Sequence, residues 1–281
     1  MQSGYKIMSQ KFVIPQRLFF ALAITFIAVF GSRTFAKPYS PESLAKLIAT
    51  AKIEAAKGKS PVVMFDLDDT LTNTRDRTAR ILHDFANRPT IQSAFADDAK
   101  KLATLPFLQV RFLLADTMKL IGIDNGDLVQ KANAFWLANF FTNTYCAKDI
   151  ETTGASVYLN LLAQTGTKIV YLTGRDTPRM GEGTKENLVS NHFPTNPEQV
   201  VLMMKPDLSQ DDLKFKESQY ANVAAMGEVI GAFENEPANI NSMANAFPTA
   251  AAIFLDTIHS PKPDVPEARV DWVENFVLPS Y

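Results

Sequence analysis

Short apolar runs separated by stretches of helical periodicity predict an α/β protein built on a parallel sheet. Five such runs recur: 61–65 (PVVMF), 168–172 (KIVYL), 199–203 (QVVLM), 228–233 (EVIGAF) and 251–255 (AAIFL). They are continuously apolar rather than alternating, as strands covered on both faces are. Between the last four, and just before them, helical patterns occupy 154–165, 179–192, 210–226 and 236–246. Strand and helix in strict alternation imply a layered domain with helices on both faces of the sheet.

The elements follow in order. Residues 1–17 carry Lys6, Lys11 and Arg17 and no acid, and 18–30 (LFFALAITFIAVF) is apolar but for Thr25. Small residues at Thr34 and Ala36 complete the pattern of a secretory leader cut after Ala36. The apolar run has 13 residues, short of the ~20 that cross a bilayer. Residues 1–36 are therefore expected to be removed and the protein exported, to a periplasm or outside the cell, with no stable membrane anchor. Ser40-Pro41 opens a helix, with a cap residue followed by Pro at the first helical position, and Gly58 closes it. Its apolar face is Leu44, Leu47, Ile48 and Ala51.

After the first strand the alternation stops. From about Thr74 to Ile150 no strand pattern occurs, only helical spacing, with Leu128, Ala132, Phe135, Trp136 and Phe140 on one face. This reads as a helical insert at 75–150 placed directly after the first strand, dividing a core of 37–74 and 151–281. The aromatics Phe135, Trp136, Phe140, Phe141 and Tyr145 read as the insert's own core. The segment beyond Ser260 (SPKPDVPE) is Pro-rich and is expected to pack as an extended strap.

Composition excludes several function classes. The chain has 281 residues, 46% hydrophobic and 21% charged, too apolar for a disordered tail. Its single cysteine, Cys146, excludes disulfide frameworks, Cys-x-x-Cys chemistry and multi-cysteine zinc sites. Few cysteines suit an oxidising compartment, where Cys146 would be safest buried. The three histidines are widely spaced and are assigned no chemistry. Loss of Lys6, Lys11, Arg17 and Arg33 with the leader takes the net charge from −2 to −6, so no nucleic-acid partner is expected.

Reactive residues stand where the strands end. The first run leads into Asp66-Leu67-Asp68-Asp69-Thr70, the second into Thr173-Gly174-Arg175-Asp176 and the fourth into Glu234-Asn235-Glu236. In open parallel sheets ligands bind just past the carboxyl ends of the strands. Two carboxylates two residues apart can share a divalent cation and a phosphoryl group, one as nucleophile and one as acid/base. Lysine and threonine can neutralise and bond phosphoryl oxygens. A calcium-loop reading of 66–77 fails, because Leu71 and Arg77 stand where that loop needs Gly and Glu.

These residues resemble a known family. Asp66-Leu67-Asp68-Asp69-Thr70 is similar to the Asp-x-Asp-x-Thr signature of the haloacid dehalogenase superfamily, most members of which are Mg²⁺-dependent phosphatases. Thr173 resembles its second motif, a lysine its third, and Glu234-Asn235-Glu236-Pro237 its acidic fourth. The resemblance covers nearly all of the chain past the leader and implies an exported, acid-phosphatase-like member. The implied fold is a Rossmann-like parallel sheet with a helical cap, the insert, after the first core strand. It also implies a phosphomonoester hydrolase in which Asp66 attacks phosphorus and Asp68 serves as acid and then base. Thr173 and Lys216 would stabilise the phosphoryl group, with Thr173, Gly174, Arg175 and Lys205 facing a small-molecule substrate. Mg²⁺ would be held by Asp66, the Asp68 backbone, Glu234 and Asn235. Lys216 is preferred over Lys205 as the third-motif lysine. Asn235 stands where the family usually has Asp. Arg175 could contact a substrate phosphate or pair with Asp176. A phosphotransferase or phosphomutase with the same intermediate, and a non-catalytic exported protein that binds a phosphate ligand, are the competing functions.

Overall fold

The computed structural model describes residues 37–279; the expected leader, with its cut at Ala36, lies outside them. The described core opens with α1 (Glu42–Ala56) and β1 (Pro61–Phe65). An unbroken helical segment follows: α2 (Thr74–Ala86), α3 (Pro89–Ala94), α4 (Ala96–Ala103), α5 (Leu114–Leu120), α6 (Gly126–Phe140) and α7 (Asn143–Cys146). The alternation then resumes with α8 (Ala155–Gln164), β2 (Lys168–Asp176), α9 (Thr177–Ser190), β3 (Val200–Lys205) and α10 (Asp212–Ala224). It finishes with β4 (Glu228–Glu234), α11 (Pro237–Ala246), β5 (Ala251–Leu255) and β6 (Asp271–Val273).

The six strands form one parallel sheet in the order β3-β2-β1-β4-β5-β6. Strand order runs outward in one direction from β1 to β3 and in the other from β4 to β6. The reversal falls between β1 and β4, the crevice where such sheets place their ligands. Side chains alternate across the sheet. Val63 and Phe65 join α1 and α8 through Leu44, Leu47, Tyr158 and Leu162, while Val62 and Met64 meet α10 and α11 through Phe215, Val223, Ile240 and Met243. Both faces of β1 are covered, which is why its five residues are all apolar and all buried.

Most element ends shift by one or two residues from the sequence reading, and three differences are of physical interest. Helix α1 begins one residue later than expected, with Pro41 at the cap and the Ser40 carbonyl accepting the Ser43 amide at 2.9 Å. Strand β2 runs on to Asp176, past the expected end at Leu172, so Thr173-Gly174-Arg175 is strand. Its register against β3 slips between Thr173 and Asp176, and such a bulge re-aims the side chains it carries. The Pro-rich strap ends in β6, paired in parallel with β5. Three residues, two of them half-buried, carry too little apolar signal for periodicity to find.

The insert is helical throughout and has its own apolar centre, including Leu82, Phe85, Leu102, Met118, Leu128 and Ala132, with Phe135 and Trp136 packed against it. Among the described residues insert and core belong to one compact unit. Two backbone hydrogen bonds close the neck: the Asn73 amide to the Ile150 carbonyl at 2.9 Å, and the Thr152 amide to the Leu71 carbonyl at 2.8 Å. The returning helix α7 lies hard against α9. A Cβ on Gly183 would come within 2.4 Å of the Asn143 carbonyl oxygen, and the Gly183 amide donates to Asn143 Oδ1 at 2.8 Å. Cys146 is buried at this contact. Among the described residues no helix is long and apolar enough to cross a membrane.

Candidate active site

Past β1 the chain winds round a single carbonyl. The amides of Thr70, Leu71 and Thr72 all point to the Leu67 oxygen, at 3.2, 2.9 and 2.9 Å. Asp69 sits in this coil with φ +57°, a conformation that Asp and Asn tolerate best after Gly. Its carboxyl receives the Thr74 amide at 2.9 Å and the Thr74 hydroxyl at 2.5 Å, which ties the coil to the start of α2. Burial pushes the Asp69 carboxyl up to about 7, and the charge of Asp68 adds to this.

Asp66 lies at the centre of the sheet, its amide bonded to the Phe233 carbonyl of β4 at 3.0 Å. Lys216, on the first turns of α10, reaches under the strand ends and is almost wholly buried. Its ammonium donates to Asp66 Oδ1 at 2.7 Å and to Glu234 Oε2 at 2.5 Å. Two buried carboxylates therefore share one cation. Burial and the neighbouring Glu234 push the Asp66 carboxyl well above the usual carboxylate range, against the pull of Lys216. Lys216 remains charged, because Asp66 and Glu234 outweigh the cost of its burial.

Asp68 belongs to a second charged group. Arg175 donates to its Oδ1 from Nη2 at 2.6 Å and Nε at 2.9 Å, and Arg77 donates to the same oxygen at 2.7 Å. Both guanidiniums also bond the fully buried Asp149, Arg175 at 2.8 Å and Arg77 through two bonds. Burial alone would raise the Asp68 carboxyl, but Arg175 and Arg77 together hold it well below the usual carboxylate range. Arg175 thus pairs with Asp68 and Asp149, not with its neighbour Asp176. That residue caps α9 through the Arg179 amide at 3.1 Å and pairs with the Arg179 side chain at 2.6 Å.

The fourth-motif residues divide between two tasks. Glu234 spends both carboxylate oxygens inside the protein: Oε2 on Lys216, and Oε1 on the amides of Asn235 and Glu236, each at 3.1 Å. The expected metal ligand is thus an anchor for Lys216. Asn235 is fixed by its Nδ2 bond to the Ile258 carbonyl at 2.8 Å, while its Oδ1 meets only the Thr70 hydroxyl, at 3.3 Å. Among the described residues no three His, Cys, Asp or Glu side chains are grouped to hold a metal. A Mg²⁺ site here would instead combine one carboxylate, Asp66, with the Asn235 amide oxygen and the Asp68 carbonyl. That is a hard, all-oxygen donor set suited to an ion that keeps several of its waters. The charges agree, since Asp66 and Glu234 against Lys216 alone leave one buried negative charge uncompensated.

The remaining expected residues are also placed. Thr173 is buried, with its hydroxyl oxygen accepting the Arg175 amide at 3.2 Å. Gly174 abuts Asp212, whose carboxylate a Cβ would meet at 2.7 Å. Lys205 is not free to meet substrate. Its ammonium bonds the Leu208 and Gln210 carbonyls and Asp212 Oδ1, at 3.5, 2.9 and 2.5 Å, closing the loop after β3. The aromatics of the insert split. Phe135 and Trp136 join its core, whereas Phe140 lies beneath the Arg77 guanidinium, 4.5 Å from ring centre to carbon.

Two residues escaped the sequence reading. Arg77 falls on the buried stripe of α2 formed by Thr74, Thr78, Ile81, Leu82 and Phe85. An arginine on an apolar stripe is the signal that could have found it. Asp149 follows no pattern, being a lone carboxylate in the loop returning from the insert.

No family model matches the chain, and no curated protein matches it. Solved structures do resemble it. The class C acid phosphatase from Bacillus anthracis with tungstate bound is 15% identical with a TM-score of 0.40, over 70% of this chain and 61% of that one. A haloacid dehalogenase-like hydrolase from Burkholderia xenovorans LB400 is 16% identical with a TM-score of 0.45, over 78% and 94%. The L-2-haloacid dehalogenase from Xanthobacter autotrophicus is 11% identical with a TM-score of 0.37, over 69% and 76%. Likeness at this level carries none of the functional argument, which rests on the side chains.

Proposed function

We propose that the chain is an exported phosphomonoester hydrolase of the haloacid dehalogenase superfamily, working through a phosphoryl intermediate on Asp66. The observation that carries this reading is the convergence at the β1–β4 crevice. Asp66 and Lys216 are in direct contact there, and the second carboxylate, Asp68, stands two residues along the same turn. A nucleophile and a potential phosphoryl-binding cation are thus held together on rigid strand and helix ends.

Asp66, Asn235 and the Asp68 carbonyl would hold Mg²⁺, with Glu234 keeping Lys216 beside them. The ion would screen the repulsion between the Asp66 carboxylate and an anionic phosphate. The Asp66 oxygen attacks phosphorus in line, the bond from phosphorus to the ester oxygen breaks, and that oxygen takes a proton that the Asp68 carboxylate first accepts from the bound phosphomonoester monoanion. Thr173 and Lys216 donate hydrogen bonds to the phosphoryl oxygens as charge develops there. Asp68, now ionised and gripped by two arginines as in this structure, accepts a proton from water. The water oxygen bonds to phosphorus, the bond to Asp66 breaks, and inorganic phosphate leaves.

An open depression of about 440 Å³ lies beside Thr257 and Ile258, with Arg75, Val110 and Arg111 of the insert on its other side. The test is phosphate release from an aryl phosphate, with and without Mg²⁺. The expected outcome is Mg²⁺-dependent turnover that Asp66→Asn abolishes. Full turnover by Asp66→Asn would refute the reading. Mg²⁺ binding without turnover would favour a ligand-binding protein, and dependence on an added alcohol acceptor a phosphotransferase.

A further inference from the structure

Arg77 is the largest fully buried side chain of the described residues and the only one of the two Asp68-binding arginines that comes from the insert. Its guanidinium is committed on every side. One edge meets Asp68 at 2.7 Å, another meets Asp149, and one face lies over the Phe140 ring. Asp149 in turn is held by Arg80 at 3.3 Å and by Arg175, while its backbone carbonyl accepts bonds from Asn187 and Asn191 of α9. A planar, forked cation fixed in this way has one orientation available. The Asp68 carboxylate that it grips is itself about 30% exposed, on a side chain with two free torsions. Arg175 contacts only Oδ1, whereas Arg77 touches both carboxylate oxygens, with Nη2 at 2.7 Å from Oδ1 and Nη1 at 3.4 Å from Oδ2.

We propose that Arg77 is a positioning residue for the acid/base carboxylate: the first helix of the insert sets the orientation of Asp68 toward the departing alcohol. This rests on the phosphatase reading, since it assigns Arg77 a part in the proton transfer of that reaction. Arg77 makes no bond to the phosphoryl group in this role. Its effect passes through Asp68.

Leaving-group dependence separates positioning from general support of the fold. An acidic phenol departs with little help from a proton donor, whereas an alkyl alcohol needs one. The experiment compares kcat/KM for para-nitrophenyl phosphate and ethyl phosphate in wild type, Arg77→Gln, Asp68→Asn and the double variant. Arg77→Gln is expected to lose about 100-fold on the alkyl ester, with the aryl ester holding within about threefold. In the Asp68→Asn background Arg77→Gln should cost almost nothing further on either ester. Equal losses on the two esters, or additive losses in the double variant, would overturn the proposal. Should Arg77→Gln fail to fold, Arg77→Lys keeps the charge but lacks the fork to hold Asp68 and Asp149 together, and the same alkyl-selective loss is expected. A wild-type chain that hydrolyses neither ester refutes the phosphatase reading itself. A chain that hydrolyses both without the split in Arg77 variants refutes only the positioning role.

Discussion

Asp69 shows how a single residue can be read at two levels. In the sequence it is the variable position of a five-residue motif. In the structure it is a carboxyl in the left-handed region, bonded to Thr74 and pushed up to about 7 by burial. A folded-state value above the unfolded one means that the native protein holds the proton more tightly. The stability this contributes is complete below about pH 4 and is lost as pH rises through 7, at up to about 1.4 kcal/mol per pH unit. Asn tolerates the same backbone conformation and can keep both Thr74 contacts without ionising. The difference in unfolding free energy between wild type and Asp69→Asn, followed by urea titration from pH 4 to 8, should therefore shift in favour of the variant as pH rises. A pH-independent difference would contradict the assignment. Asp66, Asp68 and Thr173 were legible one by one because their types and spacing carry chemistry. The partners of Asp68 were not. Arg77 and Asp149 are 72 residues apart and meet only through the folded insert.

At the level of elements, continuous apolar runs found five strands, since both faces of a central parallel strand must be apolar. The same logic hid β6, an edge strand of three residues with Asp271 at its start. It also hid the extension of β2, because Thr173-Gly174-Arg175-Asp176 looks like a turn unless its partner β3 is known. Lys216, the lysine preferred in the sequence, sits on α10 with its ammonium on Asp66, whereas Lys205 is consumed in its own loop. Contact between the insert's return and the core is equally tight. At Gly183 a Cβ would strike the Asn143 backbone, which cannot rotate away as a side chain could. Gly183→Ala should destabilise the protein by roughly 1–3 kcal/mol, the usual cost of overpacking. Thermal unfolding would show this as a lowered midpoint, and an unchanged midpoint would mean that α7 can slide on α9 without cost.

For the whole molecule, the topology explains why the chemistry sits where it does. The sheet reverses its winding between β1 and β4, so their ends diverge and leave a crevice. Asp66 and Glu234 terminate these two strands, and Lys216 joins them from α10. The insert is anchored by a two-bond neck and, beside it, by the Arg77–Asp149–Arg175 group. It thereby brings an arginine of its own to the second carboxylate. Alternating strands and helices announced the sheet, and the missing strands between 74 and 150 announced the insert. How the insert docks was not announced, because docking depends on ion pairs between segments that carry no shared pattern.

In the proposed reaction phosphorus passes through Asp66. The most direct measurement is acid quenching during turnover of para-nitrophenyl phosphate with Mg²⁺, followed by peptide mass spectrometry of wild type, Asp66→Asn and Asp68→Asn. A phosphoryl group is expected on the Asp66-containing peptide of the wild type, more of it in Asp68→Asn because the base for its hydrolysis is gone, and none in Asp66→Asn. Rapid phosphate release with no phosphorylated peptide in any of the three would contradict it, and would mean that water attacks the substrate directly.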